Sequence, residues 1–329
     1  MTKETEATQA VSPRPPKTWT RRLKLFATRN LGEDRFLQAS TVKILSQLHR
    51  HERSLLLVHT MGKVGSTSIA ASLKTQPIGQ DAIIFQPHFI SDEGIAFAEK
   101  LAIEGDGPWE TLPRKTRRGF LRNRLLNKEL HRMRTDGDRC TVISLVRDPV
   151  ATNLSGLFHN RNWWPASLKN PKTQGTDEWH AALATYFLDS YPHDVPAEWF
   201  DMEVKDLYGI DVYETLFDTA RGYAIYHNEF ADLMVLKLEM LDACAPEAFA
   251  EFLEIPDFTL ARTNTASVKD YSDLYKEFRR RLVLPESYLD RVYGSKMATH
   301  FYSEEEIQKF HDKWIPKQSS TNSPSGEGR

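Results

Sequence analysis

Leu55-Leu-Leu-Val-His-Thr-Met-Gly-Lys-Val-Gly-Ser-Thr-Ser68 decides the fold. Ser54 to His59 reads as a short strand buried on both faces, because Leu55, Leu56, Leu57 and Val58 leave no polar side. Met61-Gly-Lys-Val-Gly65 then turns the chain, and Ser66 or Thr67 caps a helix carrying Ile69, Ala70, Ala71 and Leu73. A helix start after a glycine turn offers unpaired N–H groups and a favourable dipole to an anion. Lys63 adds a mobile charge, and Ser66, Thr67 and Ser68 add hydroxyl donors. The order differs from Walker A, where the lysine follows the second glycine and a hydroxyl binds Mg²⁺. Here the lysine comes first.

A second segment has the same build. Cys140 to Val146 is strand-like and ends at Arg147-Asp148-Pro149. Pro149 suits the first turn of a helix, where its missing N–H costs nothing, and that helix turns Leu154, Leu157 and Phe158 inward. Arg147 falls at the carboxyl end of its strand, the usual ligand edge of an open α/β sheet. Ser155, two turns into the helix, can approach the same anion, and Asp148 reads as an N-cap or a partner for Arg147. Two such segments together predict a nucleotide site with two separate phosphate ends.

On these residues the chain resembles the sulfotransferases that use 3′-phosphoadenosine 5′-phosphosulfate (PAPS). In that superfamily a Lys-x-Gly-Ser/Thr-Thr/Ser loop cradles the 5′-phosphosulfate, and an arginine with a serine eight residues later holds the 3′-phosphate. The resemblance implies that Gly62, Lys63, Val64, Gly65, Ser66, Thr67 and Ser68 take the first role, and Arg147 and Ser155 the second. It also implies the architecture: a P-loop-type α/β domain with a mostly parallel central sheet and helices on both faces. Ala231 to Glu239 is similar to the late strand of these enzymes. The Arg-Lys-Gly triplet of cytosolic relatives is absent, and Arg262-Thr-Asn-Thr-Ala-Ser-Val-Lys269 stands in for it, with Arg262 or Lys269 on the 3′-phosphate. Tyr271, Leu284-Pro285 and His300-Phe-Tyr-Ser-Glu-Glu-Glu-Ile307 resemble the bacterial capsular polysaccharide synthesis proteins.

The implied activity is transfer of a sulfuryl group from PAPS to a hydroxyl or amine of a carbohydrate or cell-envelope glycan, by in-line displacement. Its competitors are a nucleotide-binding protein of polysaccharide assembly without turnover and, against the glycine–lysine order, an ATP- and Mg²⁺-dependent kinase. A hydroxyl acceptor needs a base, and His88 is the first candidate, since it follows the strand-like Ala82-Ile-Ile-Phe-Gln86 and emerges at the edge that carries Lys63 and Arg147. Relatives often place a histidine there. Others use a carboxylate, which makes Glu178 the competitor, ahead of Asp177, His159 and Glu93. His59, inside the apolar strand end, reads as a satisfied core residue. No cluster has metal-ligand spacing, so no metal is expected.

The 329 residues suit a single α/β domain over 21–316, between tails at 1–20 and 317–329 whose composition predicts disorder. Strands are expected near 54–59, 82–86, 140–146, 222–227 and 231–237. Helices are expected near 67–75, 92–102, 116–134, 149–160, 211–219, 246–254, 271–283, 286–293 and 304–313, the last opening with a Ser303/Glu306 capping box. Residues 161–205 break the pattern with Trp163, Trp164, Trp179 and Trp199. This insertion is either an acceptor-binding lid that stacks on sugar rings or the core of a small subdomain.

A net charge of −2 argues against a nucleic-acid partner. Two cysteines form neither a disulfide framework nor a metal cluster, which fits a reducing compartment. With no bilayer-length apolar stretch and no signal-peptide core, the expected location is cytoplasmic. Arg114 to Arg134 holds nine lysines and arginines against one acid, Glu129. Leu126, Leu130 and Met133 give it an apolar face. The basic side is either simply solvated or a contact for an anionic glycan, the nucleotide or the inner membrane surface.

Overall fold

The computed structural model describes residues 46, 48, 53–261 and 271–315. The expected tails, and Arg262 and Lys269, lie outside them. Five strands form one sheet: β1 (Ser54–Val58), β2 (Ala82–Phe85), β3 (Cys140–Val146), β4 (Tyr223–His227) and β5 (Ala231–Lys237). Their spatial order is β2-β1-β3-β5-β4. All neighbours run parallel except β4, which pairs antiparallel with β5 at one edge. β1, β3 and β5 are buried on successive residues, so side chains pointing to either face are covered. Each of the five strands lies where the apolar runs place it.

β1 sits inside the sheet with β2 on one side and β3 on the other. The chain therefore leaves β1 toward one edge, returns, and continues from β3 toward the other. This reversal opens a crevice beyond the carboxyl ends of β1 and β3, where open α/β sheets bind ligands. Into it run the turns that precede α1 (Ser66–Thr75) and, after α2 (Asp92–Asp106) and α3 (Arg114–Asp136), the turn that precedes α4 (Pro149–His159).

The remaining elements close the core: α5 (Asp177–Ser190), α6 (Leu241–Leu253), α7 (Ser272–Arg281), α8 (Glu286–Tyr293), α9 (Lys296–Phe301) and α10 (Glu304–His311). The Ser303/Glu306 capping box is present at the start of α10. Glu306 also grips the fully buried Lys237 with both oxygens, at 2.6 and 2.7 Å, which ties α10 to the end of β5.

Three expectations are corrected. Residues 211–219 form no α-helix; only Val212–Glu214 makes a single 3₁₀ turn under an Asp211 cap. A helix there would have put Val212 and Leu216 on one face, yet Val212 is buried and Leu216 is 94% exposed. α6 begins at Leu241, with Pro246 inside it instead of at its start. The aromatic insertion contains α5, whose Trp179, Leu183 and Phe187 face the core at helical spacing. Trp164, Trp179 and Trp199 are buried, so these three are core residues and not a sugar platform.

Candidate functional site

The turn after β1 is shaped by two left-handed residues. Lys63 has φ 72° and Gly65 φ 89°. A lysine in that region is uncommon and is held there by its surroundings. Val64, fully buried between them, pins the turn to the core. A Cβ on Gly65 would lie 2.6 Å from Leu238 Cδ1, so the glycine answers both a backbone and a packing demand. The N-cap of α1 is Gly65 and not Ser66 or Thr67, which fall inside the helix. No side chain caps that helix and no acid lies in its first turn, which keeps its dipole available to an anion.

The arginine turn meets the lysine turn directly. Arg147 Nη1 donates to the carbonyl oxygen of Lys63 at 2.9 Å. Asp148 caps α4 through Oδ1, which accepts from Val150 N at 3.0 Å and Ala151 N at 3.2 Å, and from Tyr293 Oη at 3.1 Å. Glu239, just beyond β5, accepts the Asp148 N–H at 2.8 Å and the Tyr302 hydroxyl at 3.0 Å. Asp148 and Glu239 thus fix the backbone that presents Arg147, and of the two readings of Asp148 the cap is the one realised. Ser155 is half-buried, about 9 Å along α4 from Pro149 at the helical rise.

The third wall comes from the segment after β2. Gln86 Nε2 donates to Ser66 Oγ at 2.8 Å and Thr67 Oγ1 at 3.2 Å, so it orients two hydroxyls of the turn. Gln86 was not among the expected site residues. The edge rule that selects His88 applies equally two residues earlier.

His88 Nδ1 lies 2.8 Å from the Thr60 carbonyl oxygen. That oxygen only accepts, so Nδ1 carries the proton and Nε2 keeps its lone pair. Burial pushes the imidazole below its ordinary value; the Thr60 bond opposes this, and the charges of His59, Lys63 and Arg122 add to it. Neutral His88 therefore keeps the lone pair a base needs. Trp199 Nε1 donates to the His88 carbonyl at 2.8 Å, holding the segment from the other side.

Behind this wall lies a fully buried cluster. His59 Nδ1 is 2.9 Å from Tyr208 Oη, and Nε2 is 3.0 Å from Glu203 Oε2. Glu203, in a π-helical turn (Phe200–Lys205), accepts from Ile90 N at 2.8 Å, Ser91 N at 3.0 Å and Ser91 Oγ at 2.8 Å. His59 is a partnered core residue, as its apolar flanks predicted. A Cβ on Gly94 would stand 1.7 Å from Glu203 Oε1, and a carboxylate with this many bonds cannot step aside. Gly94→Ala is therefore expected to cost about 1–3 kcal/mol or more in overpacking, read as a lowered urea midpoint at unchanged slope. An unchanged midpoint would mean that Glu203 is not held as described.

The competing bases lie elsewhere. Glu178 is exposed in the first turn of α5, beside Trp179 in the Phe278 neighbourhood, and no described contact links it to Lys63 or His88. Asp177 pairs with Arg281. His159 is in the last turn of α4, roughly 15 Å from Arg147 by helix length. Glu93 is exposed in the first turn of α2. A cavity of about 130 Å³ lined by Trp163, Tyr186 and Tyr191 also lies at that far end of α4, near Leu157 and Asn160. Of the basic helix, Arg124 reaches Glu99, Arg132 reaches Glu129 and Asp138, and Arg134 reaches the Leu207 carbonyl, so these cations are engaged within the fold.

Among the described residues no group of three or more His, Cys, Asp and Glu is gathered to hold a metal ion, and no helix is long and apolar enough to cross a membrane. Residues 186–303 match the family model described as "Putative capsular polysaccharide synthesis protein". The match spans the end of α5 through α9 and includes Trp199, Glu203, Tyr208 and Glu239. The Lys63 turn and Arg147 lie outside it. No curated protein and no solved structure matches the chain. The coarse assignment is thus similarity to a polysaccharide synthesis family on an α/β scaffold.

Proposed function

We propose that the chain is a sulfotransferase that moves the sulfuryl group of PAPS to a hydroxyl of a carbohydrate acceptor. The observation that carries this reading is the 2.9 Å bond from Arg147 Nη1 to Lys63 O, which puts two cationic turns side by side at the switch point of the sheet. A doubly phosphorylated nucleotide has the matching pair of anions. The family match supplies the carbohydrate setting.

In this reading the acceptor oxygen attacks sulfur as the bond from sulfur to the 5′-phosphate oxygen breaks. His88 Nε2 takes the acceptor proton, and Lys63 with the N–H groups of α1 stabilises the charge that develops on the departing phosphate. Adenosine 3′,5′-bisphosphate leaves. Gln86 keeps the Ser66 and Thr67 hydroxyls turned toward the loop, and Arg147 holds the 3′-phosphate.

Calorimetry tests the donor class. Adenosine 3′,5′-bisphosphate should bind in the presence of a chelator, and ATP should bind weakly even with Mg²⁺. The opposite ranking would favour the kinase reading. Turnover of labelled PAPS on a glycan panel separates an enzyme from a nucleotide-binding scaffold. Arg147→Ala should weaken bisphosphate binding by about 1.5–3 kcal/mol, roughly ten- to a hundredfold in Kd, as for a lost hydrogen bond to a charged group. Unaltered affinity would remove Arg147 from the 3′-phosphate.

A further inference from the structure

Among the described residues, Arg122 is a guanidinium with no carboxylate partner. It precedes Leu126 by four residues and Leu130 by eight, on the side that α3 turns inward. The helix is fastened to the His88 segment right beside it. Asn123 Nδ2 donates to the Phe89 carbonyl at 2.9 Å, and Asn127 Nδ2 to the Ile90 carbonyl at 2.8 Å. Arg122 itself is half-buried. Its Nε is shielded from solvent without an acceptor, and its bond from Nη2 to Asn123 Oδ1 is a long 3.4 Å. Other cations of the same helix have acids: Arg124 has Glu99, and Arg132 has Glu129.

Sheltering a charge from water without a counter-charge costs stability. The cost falls on the helix turn that Asn123 fastens to the Phe89 carbonyl, one residue past His88, and the Arg122 charge is one of those that lower the His88 pKa. A planar guanidinium is suited to grip an oxyanion through two parallel N–H bonds. We propose that Arg122 binds an anionic group of the acceptor, the carboxylate of an acidic sugar or the phosphate of a phosphorylated one, and so brings its hydroxyl to His88. The inference rests on the sulfotransferase reading for what reacts at His88, but the anion site stands on the Arg122 geometry alone.

The test follows the ring signals of His88 by NMR, with adenosine 3′,5′-bisphosphate added to fill the phosphate loop. D-glucuronate, glycerol 1-phosphate and D-glucose are titrated separately. An oxyanion seated on Arg122 offsets its charge and raises the pH midpoint of His88 saturably, whereas D-glucose leaves it in place. Arg122→Gln should weaken the anion response at least tenfold, and Arg122→Lys should keep part of it. The stronger of the two anions assigns the source, carboxylate or phosphate. Arg122→Gln should also be at least as resistant to urea as the parent, which a purely structural arginine would not allow. No saturable response to either anion, or an equal response in Arg122→Gln, overturns the proposal. If glucuronate responds as expected while calorimetry finds no bisphosphate binding, the donor reading fails and the Arg122 site remains.

Discussion

On the sulfotransferase reading, Lys63→Ala is expected to lower kcat by about 10²–10³-fold and to leave the affinity for adenosine 3′,5′-bisphosphate within a few-fold of the parent. The size is that of one preorganised charge which, on the proposed reading, would act on the leaving group mainly as the bond breaks. The substitution is clean for a structural reason. Lys63 already has a Cβ at φ 72°, so alanine meets the same backbone demand and the turn keeps its shape. The bond that the Arg147 guanidinium donates to the residue 63 carbonyl is retained, as are the buried Val64 and the α1 amides. Single-turnover kinetics with labelled PAPS measures the chemical step directly. A rate within tenfold of the parent would take Lys63 away from the departing phosphate.

His88→Gln is expected to reduce kcat by about 10²–10⁴-fold, the range for a general base. A glutamine amide can still donate to the Thr60 carbonyl, so the loop keeps its anchor while the proton acceptor is gone. The pH profile gives a second signature. Burial lowers the His88 pKa from 6.5, so the imidazole stays unprotonated and active to below that pH. The acid limb of kcat/KM should therefore fall below pH 6.5 and disappear in His88→Gln. A limb that persists unchanged would hand the role to another group.

The sign for stability runs the same way. Imidazoles of the unfolded chain take up protons from about pH 6.5 downward, where the lowered His88, His180, His193 and His300 of the folded chain resist them. These four groups leave stability untouched above that pH. They withdraw it progressively between 6.5 and the folded values.

The strands were legible because parallel strands covered on both faces become largely apolar runs, as in Leu55 to Val58 and Leu233 to Leu236. The Lys63 and Arg147 turns were legible as turns because a strand end, a glycine or proline and a helix start are set by a few neighbouring residues; whether they hold phosphate belongs to the proposal. What escaped reading depends on distant partners. Nothing near Gln86 in the sequence announces Ser66 and Thr67, and nothing on the basic helix marks Arg122 as an arginine whose Nε is buried without an acceptor. α5 was hidden by prolines on either side, although Trp179, Leu183 and Phe187 carry its spacing. The tryptophans left two readings open because an aromatic residue reads alike in a core and on a sugar platform; burial of Trp164, Trp179 and Trp199 favours the core.

The pairing of β5 has a consequence for any shortened version of this chain. All seven residues from Ala231 to Lys237 pair with β3, which lies outside the matched stretch 186–303. A fragment cut to that stretch would carry an apolar strand with a bare ladder of amides and carbonyls along its whole length, an invitation to self-association. The matched stretch is thus not a detachable module, and its stability is borrowed from the half that holds the Lys63 and Arg147 turns.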